Sequence, residues 1–374
     1  MGCVFLSFAS SALIILVLLS LQKCSAVVVL KQWKNTRHHH HEGGGGGGDS
    51  SGMSKSGCDL FDGKWVYDET YPLYNASSCP FIEPQFDCQK NGRPDSFYLK
   101  YDGEDMVRRL KGKKILFVGD SLSLNQWQSL ICMLHAAVPQ SNYKIERIAD
   151  LSNFTLPEYG ISVMLSRNAF LVDLVKEKIG TVLKLDSIQN GNSWKGYDIV
   201  IFNTWHWWLH KGHQQPWDYI QEGNKVEKDM NRLDAFRAGI TTWSKWVDSN
   251  VDPNITKIFF QGTSPTHYNG NEWNGSGSES ETCRGESRPI GGSRYPAALP
   301  KAAEIVKEVL SNMSKPVGLL DVTALSQLRK DGHPSVYGMY GERGNDCSHW
   351  CLAGVPDTWN QLLYALLLQG DTTS

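Results

Sequence analysis

The sequence predicts an α/β fold, a parallel sheet flanked by helices, with a small disulfide-tied module in front of it. From about Met106 to Gln369 short apolar runs alternate with amphipathic stretches, the pattern of strands buried on both faces and helices lying over them. Before that, Cys58 to Tyr101 is rich in Cys, Pro, Asn and aromatics with little periodicity, as in a loop-rich module tied by disulfides. The whole chain of 374 residues is 41% hydrophobic and 20% charged, with Lys+Arg 37 against Asp+Glu 39, so it can bury a full core at a net charge of -2. That balance excludes a disordered chain and leaves no electrostatic footprint for nucleic acid.

Residues 1–26 contain the uncharged apolar run Val4 to Leu21, then Lys23 and the small-residue site Cys24-Ser25-Ala26. They are expected to be a signal peptide cut after Ala26, or a retained signal anchor, since the run is long enough to cross a bilayer. Residues 27–57 hold His38 to His41 and Gly43 to Gly48 and are expected to be a flexible linker. No second ligand cluster follows these histidines, so no metal is expected there. Residues 58–105 are the Cys-rich module and residues 106–374 the body. Expected strands are Lys113–Val118, Ile161–Leu165, Val182–Leu185, Asp198–Phe202, Lys257–Phe260 and Val317–Asp321. Expected helices are Leu124–Ala137, Arg232–Asp248, Ala298–Asn312 and Thr358–Leu368, the last with Leu362, Leu363, Leu366 and Leu367 at helical spacing to lie on the sheet.

The leader addresses the chain to the secretory pathway, and five acceptor sequons, at Asn75, Asn153, Asn254, Asn274 and Asn312, fit a glycoprotein of that compartment. The nine cysteines form no C-x-x-C pair, which suits disulfides better than zinc or redox motifs. Cleavage of the leader would remove Cys3 and Cys24 and leave an odd seven.

The chemistry concentrates in three places. Lys113 to Val118 is a buried-type strand ending in Gly119-Asp120-Ser121, where a helix begins. Such a turn presents the serine hydroxyl at the carboxyl edge of a parallel sheet, beside free backbone N–H groups and the positive end of a helix dipole. Read alone, Asp120-Ser121 is equally a plain N-cap pair. A nucleophilic serine needs a base and an orienting acid. Asp346-Cys347-Ser348-His349 places a carboxylate three residues before a histidine, close enough for one turn to bring them together. Cys347, His349 and Cys351 also read as metal ligands, but in an oxidising compartment disulfides are the expected fate of these cysteines. The third place is the strand end Ile199 to Trp208, which should reach the same sheet edge as Ser121. Its Asn203 is an oxyanion donor candidate, and Trp205, Trp207, Trp208 and Trp217 are either sugar platforms or core packing.

Together these motifs resemble the plant trichome birefringence-like proteins, whose catalytic body is of the SGNH/GDSL esterase type. The matching stretches are Cys58-Asp-Leu-Phe-Asp-Gly-Lys-Trp-Val, Cys79-Pro-Phe-Ile, Cys88-Gln-Lys-Asn-Gly-Arg-Pro-Asp95, Phe117-Val-Gly-Asp-Ser-Leu, Asn125-Gln-Trp, Phe202-Asn-Thr-Trp-His-Trp-Trp208, Cys283-Arg-Gly-Glu, Lys330-Asp-Gly-His-Pro-Ser-Val-Tyr337 and Asp346-Cys-Ser-His-Trp-Cys351. The resemblance implies an SGNH-like three-layer sandwich and O-acetylation of plant cell-wall polysaccharides such as xylan, mannan, xyloglucan or pectin. It implies Ser121 as the acetylated nucleophile, His349 as base and Asp346 as its partner. Gly119, Asp120 and Asn203 would then lie at the oxyanion, with Trp205, His206 and Trp207 toward substrate. It also implies the bridges Cys79–Cys132, Cys88–Cys351 and Cys283–Cys347, and no bound cofactor beyond an acetyl donor as co-substrate. The chain would work as a monomer on a wall polysaccharide, in the Golgi lumen as a membrane-anchored protein or secreted to the wall. An acetylesterase and a non-catalytic wall-binding protein are the alternatives.

One departure stands out. Members of that family usually carry a Trp-Arg-Trp-x-Pro-x-x-Cys-x-Leu-Pro-Arg-Phe stretch after the position of Tyr98, whereas this chain passes from Tyr101 directly to Asp102. The lost stretch would hold the partner of Cys58, which leaves Cys58 as the expected free thiol. A lost bridge costs about 2–4 kcal/mol.

Overall fold

In the computed structural model, which describes residues 59–66, 73–93, 103–270, 282–339 and 341–371, the sheet grows outward from β1 (Lys114–Gly119). The leader, the linker, Cys58, Asn274 and the Tyr101–Asp102 junction lie outside the described residues. Strand β1 is buried from Ile115 onward, and its Ile-Leu-Phe-Val run leaves no polar face, as expected for a strand covered on both sides.

The helix α1 (Glu104–Leu110) precedes β1 and runs across residues 105 and 106, where the sequence places the start of the body. After β1 come α2 (Ser121–Ala137), β2 (Lys144–Ile148), β3 (Leu151–Leu156) and β4 (Ile161–Arg167). Then follow β5 (Asp173–Glu177), β6 (Gly180–Lys184), β7 (Ile199–Phe202), β8 (Tyr219–Glu222), β9 (Lys225–Glu227) and α3 (Arg232–Asn250). The chain closes with β10 (Lys257–Gln261), α4 (Lys301–Ser311), β11 (Gly318–Leu320), α5 (Thr323–Gln327) and α6 (Val355–Asp371).

Seven strands form the main sheet in the order β11-β10-β7-β1-β4-β3-β2. The five from β11 to β4 are parallel, and β3 and β2 extend the edge antiparallel. Alternation along the central strands sends two sets of side chains in opposite directions. Leu116, Val118, Val200, Phe202, Ile258 and Phe260 share one apolar cluster with Phe236, Ile240 and Trp243 of α3 and Ile305 and Val306 of α4. On the other face α2 contacts β1 and β4, and Trp127 donates its indole N–H to the Val163 carbonyl at 3.0 Å. Helices on both faces of a parallel-containing sheet make the three-layer α/β sandwich that the sequence predicts.

Two parts of the sheet depart from the expectation. Val182–Leu185 is not a strand of the main sheet, because β6 belongs to a separate four-stranded sheet ordered β5-β6-β8-β9. The antiparallel β2 and β3 were not expected at all: β2 is exposed along most of its length and carries charges, so it shows no apolar run to read. The last helix also differs in its partner. Trp359, Leu362 and Leu363 are buried, but the polar residues between them bond to α2, with Asn360 accepting from Gln126 Nε2 at 3.1 Å and donating to Ser129 Oγ at 2.9 Å.

The unit Phe61–Tyr364 contains the Cys-rich segment together with the sheets. The other unit, 1–60 with 365–374, is described only at 59–60 and along the helical end 365–371. Three disulfides are formed, Cys79–Cys132, Cys88–Cys351 and Cys283–Cys347, the pairs implied by the resemblance. The first two tie the Cys-rich segment to α2 and to the loop before α6. Around them Trp65 donates to the Leu325 carbonyl at 2.8 Å under the Arg329 guanidinium, and Arg93 donates to the carbonyls of Asp331 and His333 at 2.6 and 3.2 Å. Of the described sequons, Asn75, Asn254 and Asn312 are exposed. Asn153 is half-buried within β3 with its Oδ1 enclosed. Among the described residues no helix is long and apolar enough to cross a membrane, and the apolar run Val4 to Leu21 lies outside them.

Candidate active site

The turn between β1 and α2 is built around Gly119 and Asp120. A Cβ on residue 119 would run into Ser123 Oγ and the carbonyl oxygen of Asn203, so only glycine lets the two strand ends approach this closely. Asp120 is the N-cap of α2 and accepts from the Leu122 N–H at 2.9 Å. The plain capping role is therefore real, and it leaves Ser121 as the first residue of the helix, half-buried, at the positive end of the helix dipole.

The loop before α6 brings the other two groups. Ser121 Oγ lies 2.7 Å from His349 Nε2, and His349 Nδ1 lies 2.8 Å from Asp346 Oδ2. A carboxylate can only accept, so Nδ1 carries the ring proton, and Nε2 presents its lone pair to the serine hydroxyl. Asp346 has further donors: the backbone N–H groups of Ser348 and His349 and the Ser348 hydroxyl reach Oδ1 at 3.0, 3.1 and 3.0 Å. Burial raises the Asp346 carboxyl, but the bonds and charge of His349 with these N–H groups outweigh it and hold the group well below the usual carboxylate range.

Ser121 and His349 are far apart in sequence, and one side chain explains why they meet. Asn125, one turn after Ser121 on α2, donates to the Trp350 carbonyl at 3.0 Å and accepts from its N–H at 2.7 Å. The residue beside His349 is thus fastened to the helix that begins with Ser121. Cys88–Cys351 and Cys283–Cys347 clamp the same loop from both sides, and Phe86 of the Cys-rich segment packs its ring 5.5 Å from that of His349.

Asn203 follows β7 at the same sheet edge, its N–H bonded to the Val118 carbonyl at 2.9 Å. Its Nδ2 donates to Asp120 Oδ1 at 3.0 Å, which uses one of its two hydrogens and orients the amide beside the turn. The tryptophan block divides. Trp205 is buried against Phe236 with ring centroids 4.9 Å apart, and Trp208 and Trp217 are buried around Phe170, so these three serve core packing and are not open platforms. Trp207 is half-buried on the same core. His206 bonds through Nε2 to the Ser264 carbonyl at 2.9 Å; burial lowers its pKa, against the opposing charges of Asp120 and Asp346.

Sequence reasoning passed over Asn125, Ser348, Phe86 and a pair of buried histidines, His267 and His333, behind the His349 loop. The partners of Asn125, Phe86 and the two histidines lie too far along the chain for spacing to reveal them, whereas Ser348 bonds to Asp346 two residues away, a spacing the sequence does show.

This geometry can be set beside known proteins. Residues 99–366 match the GDSL/SGNH-like acyl-esterase family found in Pmr5 and Cas1p, and residues 56–103 match the PMR5 N-terminal domain. Protein trichome birefringence-like 38 of Arabidopsis thaliana is 53% identical over 325 residues, covering 83% of this chain and 84% of that protein. The chain belongs to the trichome birefringence-like family. Other members are similarly near: trichome birefringence-like 42 of Arabidopsis thaliana is 55% identical, with 83% of this chain and 89% of that protein covered. Trichome birefringence-like 4 of the same plant is 39% identical over 360 residues, with 86% and 77% covered. Acyl-ester chemistry is therefore the chemistry of this family.

Proposed function

We propose that this member of the family is an O-acetyltransferase that carries an acetyl group on Ser121 to hydroxyls of a plant cell-wall polysaccharide. The observation that carries the reading is the unbroken line Ser121 Oγ, His349, Asp346, with contacts of 2.7 and 2.8 Å. Ser121 Oγ attacks the carbonyl carbon of the acetyl donor while its proton passes to His349 Nε2. The imidazolium stays close to the Asp346 carboxylate and returns the proton to the departing group. A sugar hydroxyl then gives its proton to Nε2, attacks the acetyl-serine, and Ser121 leaves as the alkoxide and is reprotonated by His349. The backbone N–H of Ser121 at the helix start and the second Nδ2 hydrogen of Asn203 are suited to the oxyanion of both tetrahedral intermediates. The acetyl donor, the monomeric state and work in the Golgi lumen or the wall belong to this same reading.

The test is acetylation of deacetylated xylan, mannan and pectin by the full chain with an activated acetyl ester as donor. Ser121→Ala should lower transfer by about 10³-fold or more. Full acetylation of every polymer by the variant rejects the reading. The family description as an acyl-esterase favours a second one, in which water takes the place of the sugar hydroxyl. Acetate released from acetylated pectin or xylan, unaffected by added acceptor, would select it.

A further inference from the structure

Behind the loop that carries Asp346 and His349 lie two buried imidazoles, those of His267 and His333. Three short contacts run in line through them: His267 Nε2 to the Gln327 carbonyl at 2.9 Å, His267 Nδ1 to His333 Nε2 at 2.6 Å, and His333 Nδ1 to the His349 carbonyl at 2.5 Å. Both ends are carbonyl oxygens, which only accept, so both outer contacts need an N–H. Two neutral imidazoles bring two ring protons for three contacts. Whichever tautomers they take, one contact is left as two lone pairs face to face. A third proton closes all three.

The pair is joined to the loop in other ways. The His267 N–H donates to the Cys347 carbonyl at 2.9 Å, the Cys351 N–H donates to the Gly332 carbonyl at 3.0 Å, and the His333 ring stacks on Trp350 with centroids 4.1 Å apart. A change in the pair therefore reaches the backbone of His349 directly. We infer that His267 and His333 are positioning residues that share a proton and, when the third proton is present, lock the backbone of His349 and with it the Ser121–His349 contact.

The charges facing the pair come from several elements. His267 faces Asp331, Lys330 and Glu286, and His333 faces Asp346 and His349. Asp331 is held by Arg329, Lys330 is paired with Glu286, and Arg93 sits on the carbonyls of Asp331 and His333. Burial pushes both imidazoles down, His267 to about 4, and their mutual repulsion pushes His333 further; the carboxylates of Asp331 and Asp346 act in the opposite direction. The third proton thus enters on the acid side of the ordinary imidazole range.

The full chain labelled with ¹⁵N-histidine tests this by NMR from about pH 7.5 to about pH 4. At the acid end a far-downfield proton with a two-bond nitrogen–nitrogen coupling between His267 Nδ1 and His333 Nε2 should coexist with ring N–H signals at both outer contacts, whereas at about pH 7.5 one of these three signals should be missing. Over the same range the protection factors of the Ser348, His349, Trp350 and Cys351 amides should rise about tenfold, the worth of one closed hydrogen bond. His333→Asn places Nδ2 where Nδ1 was and keeps a donor to the His349 carbonyl; it should lose the coupled proton and the pH dependence of protection. The activity arm rests on the reading of His349 as the base: His333→Asn should change the acid limb of kcat and leave KM in place. Absence of the coupled proton at every pH where the chain stays folded, or the same protection profile in wild type and variant, overturns the inference. The NMR arm needs no turnover, so it stands or falls separately from the Ser121→Ala result.

Discussion

Asp346, half-buried, and Asp357, fully buried, lie on either side of Cys351, and their surroundings drive the two carboxylates in opposite directions. Asp346 meets an imidazole and two backbone N–H groups, and it is held ionised well below the usual range. Asp357 meets the Ser129 hydroxyl at 2.6 Å, the Tyr74 hydroxyl at 3.2 Å and only one backbone N–H, from Gly354 at 2.8 Å. Burial dominates there and raises it to about 7. Hydroxyls serve a protonated carboxyl as well as an ionised one, whereas an imidazole N–H and converging amides favour the charge alone. Desolvation by itself does not make a site; the kind of donor around the group decides what it becomes.

The comparison breaks most sharply on activity. Asp346→Asn removes the charge that fixes the His349 tautomer and steadies the imidazolium, and it should lower acyl transfer by about 10³–10⁴-fold. Steady-state kinetics on an activated ester reads this directly, and a loss of less than tenfold would mean that His349 is held by other means.

The pH dependence of stability comes next, with opposite signs for the two groups. Asp346, depressed in the folded state, contributes stability that is complete above its unfolded value near 4 and is lost only in stronger acid. Asp357, raised in the folded state, contributes stability below about 4 that disappears as the pH climbs toward 7. Asp357→Asn should therefore flatten the fall in stability between those values, by an amount on the order of a few kcal/mol. Denaturant melts at a series of pH values measure it, and parallel curves for wild type and variant would show that Asp357 titrates normally.

The smallest effect sharpens the picture of Asp346. Ser348→Ala deletes one donor out of several and keeps the charge and the histidine, so activity should fall only about two- to tenfold. A loss as large as that of Asp346→Asn would place Ser348 itself in the chemistry.

Much of this was legible beforehand, for reasons that differ by element. Central strands such as Ile115–Val118 and Ile199–Phe202 are buried on both faces, so they stand out as apolar runs, and the helices they alternate with carry their own periodicity. Strand β2, with Lys144, Glu146 and Arg147 exposed on a sheet edge, had no such mark. The tryptophan block shows the limit most clearly. Indoles serve a sugar and a core equally well in composition, and only the position of α3 over β7 put Trp205 against Phe236.

By itself the sequence determined what depends on near neighbours: the capped turn Gly119-Asp120-Ser121, and the Asp346–His349 pair, whose three-residue spacing one turn of backbone can close. The tertiary structure alone decided which of the eleven histidines face each other. Asn125 gripping Trp350 from 225 positions away, and His333 reaching the His349 carbonyl, are contacts between segments joined by the sheet order and the disulfides. Hydrogen bonds act over about 3 Å, and the chain records no such distance between residues until packing sets it.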